Sequence, residues 1–460
     1  MHIEQIYTGC LSQGAYYIES EGEAAIIDPL RESVPYLNRL ERDGATLKYI
    51  FETHFHADFV SGHVSLSQIT GAPIIYGPTA NPSFDAIIAK DMQVFKIGKI
   101  TITALHTPGH TMESTTYLLK DENGKNHCIF SGDTLFLGDV GRPDLAQKGA
   151  GLTLNDLAGI LFDSLRNKIM VLEDDVIVYP AHGAGSACGK HMMSETVDTL
   201  GNQKKMNYAL RADMTKEEFI TEVTDGLLPP PDYFPLNVKM NREGYDSLDN
   251  IIQKGTKKLT PDAFEELVNS SGAIMLDVRY QKDFMEAHIP NAIFIGIDGG
   301  FAPWVGALIA DTEQAILLIA PEGREEETIT RLSRVGFDNT LGFLEGGIEA
   351  WKNAGKETAS MLSVSASTLK EKISEGAPVF DVRKDGEYKN AHIPNATHTS
   401  LEIINSHLNA FPKDKPFYVH CAGGYRSVIA ASILKSRGIH NVIDVAGGFK
   451  AIKEAEIAIV

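Results

Sequence analysis

The spacing of apolar positions divides the chain near residue 250. Before that point, short apolar runs recur with helical stretches between them: AYYIE, AAIID, YIFETH, PIIYG, ITITALHTPGH, TYLLK, HCIFSGD and VIVYPAHG. Runs this short, rich in β-branched and aromatic residues and closed by Gly, Pro or Asp, predict strands. Histidines and acids stand at the ends of these strands, ahead of glycines. Layered α/β domains build sites this way, on loops held by rigid strands. The Pro-rich segment LPPPDYFPLN (228–237) predicts irregular chain.

Beyond residue 250 the pattern repeats itself. The segment 259–292 resembles 364–396: Asp277-Val278-Arg279 matches Asp381-Val382-Arg383, and His288-Ile289-Pro290-Asn291 matches His392-Ile393-Pro394-Asn395, both displaced by 104 residues. AILLIAPEG (315–323) lies over PFYVHCAGG (416–424), and LEGGIEAW over VAGGFKAI. A period near 100 residues is too long for a solenoid unit, so the two copies are tandem domains of one fold. In each copy a capping residue, Thr260 (before Pro261) or Ser365, opens a helix. Buried parallel strands follow at AIMLDV, PVFDV, ILLIA and FYVH. RSVIAASILKSRG predicts a helix that ends at Gly438. The expected domains are 1–250, 256–357 and 362–460, with a short polar linker around 352–361.

The length of 460 residues agrees with this division, at roughly 150 residues per domain. Lysine and arginine total 42 against 61 aspartates and glutamates, a net charge of −19. Such a surface repels phosphate backbones and anionic lipid, which argues against nucleic-acid or membrane-surface binding. An anionic substrate would need a local basic group. No apolar run is long enough to span a bilayer, and the start shows no basic n-region followed by an apolar h-region, so neither a membrane span nor a signal peptide is expected. Four dispersed cysteines, Cys10, Cys128, Cys188 and Cys421, favour a reducing cytoplasm over a disulfide framework.

The first ~250 residues carry metal-ligand chemistry. Thr53-His54-Phe55-His56-Ala57-Asp58-Phe59 follows the strand-like YIFE, and later come Thr107-Pro108-Gly109-His110, Ser131-Gly132-Asp133 and Pro180-Ala181-His182-Gly183. Neutral imidazole and carboxylate suit Zn or Fe. Spacing alone does not choose between His54 and His56. Residues 1 to about 250 resemble the metallo-β-lactamase fold, an αββα sandwich. The binuclear hydrolases of that fold read H-x-H-x-D-H, and this chain has Phe59 at the last position, which disfavours a second metal.

GDTLFLGDVGRPDL (132–145), TPGHTMES (107–114) and PAHGAGSACG (180–189) resemble the persulfide dioxygenase branch of the fold, fused to rhodanese domains. The resemblance implies one Fe(II) per chain on His54, His110 and Asp133, with Zn as the alternative. His56, Asp58 and His182 would then orient ligands or substrate. It also implies that Arg142 holds a carboxylate of the thiol carrier. Cys188 is either a buried loop thiol or a sulfur relay near the metal. Cys10 and Cys128 are read as structural.

Cys421-Ala422-Gly423-Gly424-Tyr425-Arg426-Ser427 lies between a strand and a helix. Small residues let backbone N–H groups face the thiolate, and a helix N-terminus adds positive potential. Arg426 could pair with an anionic donor such as thiosulfate. With D-V-R and H-I-P-N-A ahead of it, the segment resembles an active rhodanese sulfurtransferase. The first copy, in which Pro321 is read at the nucleophile position and Glu325 to Glu327 follow, resembles a non-catalytic rhodanese-like domain.

The expected function is sulfide detoxification. A thiol persulfide (of glutathione, coenzyme A or a similar carrier) is oxidised by O2 to sulfite, and sulfane sulfur passes through Cys421 to or from thiosulfate. A Zn-dependent thioesterase of the glyoxalase II kind and a non-dioxygenase sulfur-relay or redox-sensing protein are the alternatives. A homo-oligomer is expected.

Overall fold

A computed structural model describes residues 1–145, 151–227 and 229–460. The chain divides into two compact units, Met1–Leu248 with Arg334–Gly336, and Asp249–Ser333 with Phe337–Val460.

Among the described residues, the first unit holds two six-stranded sheets. One runs in chain order through His2–Thr8, Gln13–Ser20, Glu23–Ile27, Thr46–Phe51, Ile74–Tyr76 and Ile87–Ile88. The other begins at Val94–Ile97 and runs through Ile100–His106, Thr115–Lys120, Asn126–Gly132, Ile177–Pro180 and Asp198–Thr199. Alternate residues explain why the strands read as unbroken apolar runs. Tyr16, Ile18, Ala25 and Ile27 pack with Ile102, Tyr117, Leu119 and Phe130 in one core between the sheets. Their neighbours Ala15, Tyr17, Ala24 and Ile26 point the other way and pack with Tyr36, Leu40 and Leu66 of the helices Val34–Asp43 and His63–Thr70. On the far side, Leu157-bearing helix Leu154–Ser164 contributes Ala158 and Leu161 to a third core with Leu118, Ile129 and Val178. Burial on both faces is what a four-layer αββα sandwich requires.

The Pro-rich segment is a partial correction. The helix Phe234–Glu243 starts inside it, because Pro235 sits in the first turn, where its missing N–H costs no helical bond. Leu228 lies outside the described residues.

The second unit holds the two copies, each a five-stranded parallel sheet of the same order. The first runs Lys258–Leu259, Thr340–Leu344, Ile316–Ile319, Ile274–Asp277, Ile293–Phe294. The second runs Ser363–Val364, Val442–Val445, Phe417–His420, Val379–Asp381, Thr397–His398. Thr260 and Ser365 cap their helices as expected, accepting from the N–H groups of Ala263 and Thr368. The helix Tyr425–Ser436 ends before Gly438, which takes a left-handed φ of 81°.

The repeated motifs have repeated jobs. Arg279 folds back on Asp277 and donates to the Ala287 carbonyl at 2.8 Å; Arg383 does the same with Asp381 and Ala391 at 2.8 Å. Both pairs are buried and structural. Sheet register corrects the nucleophile position of the first copy. Asp277 pairs with Ile319 where Asp381 pairs with His420, so the residue opposite Cys421 is Ala320, not Pro321. The displacement there is 101 residues, three fewer than at the D-V-R motif, because the connecting chain differs in length.

Candidate functional site

Four strand ends on one rim of the sandwich bring the predicted residues together. His54 follows Thr46–Phe51, His110 follows Ile100–His106, Asp133 follows Asn126–Gly132 and His182 follows Ile177–Pro180. All four are buried. His54, His110 and Asp133 each offer a ligand atom within 4.8 Å of the others. His110 Nε2 lies 3.5 Å from Asp133 Oδ2, and His54 Nε2 lies 3.9 Å from the same oxygen. His110 Nε2 and Asp133 Oδ2 are buried with no hydrogen-bond partner. Leaving such an atom unsatisfied costs about 1–3 kcal/mol, so two converging on one point fit a cation.

The aim of these side chains is set from behind. His110 Nδ1 is 2.8 Å from the Arg142 carbonyl, which leaves Nε2 facing Asp133. That approach needs Gly141, where a Cβ would fall 2.9 Å from His110 Nδ1 and 2.0 Å from the Asp133 carbonyl. His54 Nδ1 is 3.0 Å from Thr53 Oγ1, which donates to Asp28. Burial lowers the tendency of His54 to protonate, and neighbouring His56 adds to it, as suits a neutral ligand.

His56 is turned the other way. Its Nε2 sits 3.1 Å from Asp28 Oδ1 and 3.4 Å from Glu52 Oε2. Burial opposes its charge, but the two carboxylates outweigh that and push it up to about 10. The geometry therefore groups His54, not His56, with His110 and Asp133. His182 Nδ1 bonds Asp133 at 2.7 Å, and its Nε2 lies 2.8 Å from an Asp58 oxygen without an aligned hydrogen bond. Phe59, fully buried, stacks against His56 at 4.2 Å between ring centres.

Cys188 is buried within 4.8 Å of the Asp58 and His182 ligand atoms. Burial, with Asp58 and Asp133 nearby, pushes its thiol well up. Cys128 lies in the core between the sheets, and Cys10 is half-exposed. Arg142 is not an open cation. Its guanidinium is bidentate to Asp144 at 2.6 and 2.7 Å and donates to the Ala187 carbonyl.

Sequence reading missed the support beneath this site. Asp28 and Glu52 sit at strand ends, a signal that was available. Asn241 gave none: from the helix Phe234–Glu243 it donates to the carbonyls of His56 and Phe59 and accepts from the Ser61 N–H, pinning the ligand loop.

In the second unit, Cys421 is buried after Phe417–His420, and the Gly424 N–H donates to its Sγ at 3.1 Å. Arg426 is bidentate to Glu387 at 2.6 and 2.8 Å, so an anionic donor would share or displace that carboxylate. In the first copy Glu325 takes the place of Arg426, and Arg324 is bound to Glu327 and Asp298.

Comparison with known proteins agrees with this division. The metallo-β-lactamase superfamily model matches residues 8–182, and the rhodanese-like domain model matches 260–354 and 365–455. A hydroxyacylglutathione hydrolase of Tolumonas auensis is 33% identical over 171 residues, which are 36% of this chain and 60% of that one. A human protein named persulfide dioxygenase ETHE1, mitochondrial, is 29% identical over 221 residues, covering 48% of this chain and 78% of that one. The solved structure of a metallo-β-lactamase from Staphylococcus aureus superposes with a TM-score of 0.65 at 28% identity, over 75% of this chain and 98% of that one. No helix among the described residues is long and apolar enough to cross a membrane. The chain is thus a metallo-β-lactamase-superfamily domain followed by two rhodanese-like domains.

Proposed function

We propose that the chain is an enzyme of sulfur metabolism with two reactions: oxidation of a thiol persulfide at His54, His110 and Asp133, and sulfane-sulfur transfer at Cys421. The observation that carries the first is the convergence of two partnerless buried ligand atoms, His110 Nε2 and Asp133 Oδ2, with His54, while His182 Nδ1 is bonded to the other oxygen of Asp133. Two histidines and one carboxylate on one ion leave positions free for substrate. Iron, when bound there, supplies the redox chemistry by which persulfide, dioxygen and water give thiol, sulfite and two protons. His182 holds Asp133, and the Arg142 carbonyl holds His110, so both ligands keep their aim. A substrate carboxylate at Arg142 would compete with Asp144. Cys188, buried within 4.8 Å of the Asp58 and His182 ligand atoms, would be the thiol to meet a sulfur chain there.

At Cys421 a persulfide sulfur attacked by sulfite leaves as thiosulfate, and the thiolate is regenerated; the reverse loads the cysteine from thiosulfate. The Gly424 N–H faces that sulfur. The human relative's name supports the persulfide reading. The Tolumonas relative's name supports a second one, thioester hydrolysis at zinc. Phe59 speaks for the first, because two-metal hydrolysis needs a ligand where its ring stands.

Anaerobic purification with metal analysis, followed by oxygen uptake with glutathione persulfide, separates the two. The expected result is one iron per chain, with iron and uptake both lost in His110→Ala and Asp133→Ala. Two zinc ions per chain with thioester hydrolysis and no oxygen uptake would overturn the proposal.

A further inference from the structure

The loop that carries Cys421 is braced by the copy that lacks a nucleophile. Tyr425, the first residue of the helix Tyr425–Ser436, seats against the first copy. Its hydroxyl donates to the Gly296 carbonyl at 2.8 Å, and its ring stands edge-on to Phe294 at 5.9 Å. Gly299 makes the seat. A Cβ there would fall 2.2 Å from Tyr425 Cζ, and the three atoms nearest to it all belong to that side chain. One helical face further along, Ser432 Oγ accepts the Phe294 N–H at 2.9 Å, covering an edge-strand donor of the first copy's sheet. Gln281 of the first copy lies against Gly424, with its Nε2 3.1 Å from where a Cβ would stand.

We propose that the nucleophile-free copy is a positioning element for its twin: Tyr425, seated at Gly296 and Gly299, fixes the loop whose Gly424 N–H faces Cys421 Sγ. The physical case is one of connectivity. Gly424 directly precedes Tyr425, so displacing the Tyr425 backbone shifts Gly424 and with it the N–H that faces sulfur. Glycine at 299 follows from the ring's position, since its φ is not left-handed and the backbone there would accept a side chain. The sequence Gly296-Ile297-Asp298-Gly299-Gly300 belongs to the first copy alone; the catalytic copy reads Ser400-Leu401-Glu402-Ile403-Ile404 at the same displacement of 104 residues. The inference rests on Cys421 as the reactive sulfur.

The test is a double-mutant cycle in the full chain, using Gly299→Ala, Tyr425→Ala and the pair. Two rates are read: thiosulfate:cyanide sulfur transfer, separated into kcat and KM, and alkylation of Cys421 by iodoacetamide, followed on its peptide by mass spectrometry. Gly299→Ala is expected to lower kcat/KM for thiosulfate by roughly tenfold to a hundredfold, the cost of a misplaced reacting group, and to change the alkylation rate. Tyr425→Ala should match it. In the pair, Gly299→Ala should add nothing, because no ring remains to be displaced. General loss of stability would not give that non-additivity. Tyr425→Phe, which keeps the ring and fold contacts, should lose only the part due to the hydroxyl. Unchanged rates in Gly299→Ala, or an undiminished Gly299→Ala effect in the Tyr425→Ala background, would overturn the proposal. If the unmodified chain transfers no sulfur, the sulfurtransferase reading falls, while the alkylation cycle still decides whether the loop is positioned.

Discussion

On the proposed reading the site holds one ion, and Phe59 is the residue that keeps it so. Phe59 stands where the H-x-H-x-D-H motif has its last histidine, and His182 sits between Asp133, which its Nδ1 bonds, and Asp58, 2.8 Å from its Nε2. Phe59→His supplies the missing ligand beside Asp58, so metal titration of that variant should reach two ions per chain. A variant that still holds one would show that the His182 clasp, not the aromatic ring, sets the stoichiometry. At this scale the sequence was legible in kind but not in assignment. The H-x-H-x-D spacing marked a metal site, yet only the buried carboxylates of Asp28 and Glu52 distinguish His56 from His54, and they lie on different strand ends. Arg142 and Arg426 read as free cations because a sequence shows a charge and not its partner; Asp144 and Glu387 are those partners.

The twin loops compare two strand-loop-helix elements at the same place in sheets of the same order. D-V-R, H-I-P-N and the parallel strands were visible from the repeat, and Asn291 and Asn395 share a left-handed φ of 67° and 65°, which explains why the same residue recurs at that turn. Pro321 is one residue late for the nucleophile position; the pairing of AILLIAPEG with PFYVHCAGG already sets Ala320 opposite Cys421, and the sheet register gives the same pair. Ala320→Cys is therefore the informative change. Made in a Cys421→Ser background, it should leave thiosulfate:cyanide transfer at background. Glu325 stands where Arg426 would be, and Arg324 is already bound to Glu327 and Asp298. Transfer comparable with that of Cys421 would contradict this account of the loop.

At the scale of the whole molecule, the two proposed reactions belong to separate compact units. The tandem copies followed from the repeat and the layered α/β class from apolar patterning, because strands buried on both faces leave unbroken runs that survive as a sequence signal. The αββα assignment came only with the resemblance carried by the ligand motifs. Contacts such as Asn241 on the ligand loop, or Tyr425 on its neighbour, join residues more than 100 positions apart and leave no periodic trace. The central claim is a division of labour, with oxygen chemistry in the first unit and the sulfur carrier in the second. Its most direct test is product analysis of Cys421→Ser with a thiol persulfide and oxygen, using thiol-labelling chromatography to separate sulfite from thiosulfate. A serine hydroxyl forms no persulfide, so the variant should consume oxygen as the unmodified chain does and release sulfite, where the unmodified chain yields mostly thiosulfate. Loss of oxygen uptake in Cys421→Ser, or an unchanged output of thiosulfate, would contradict the account.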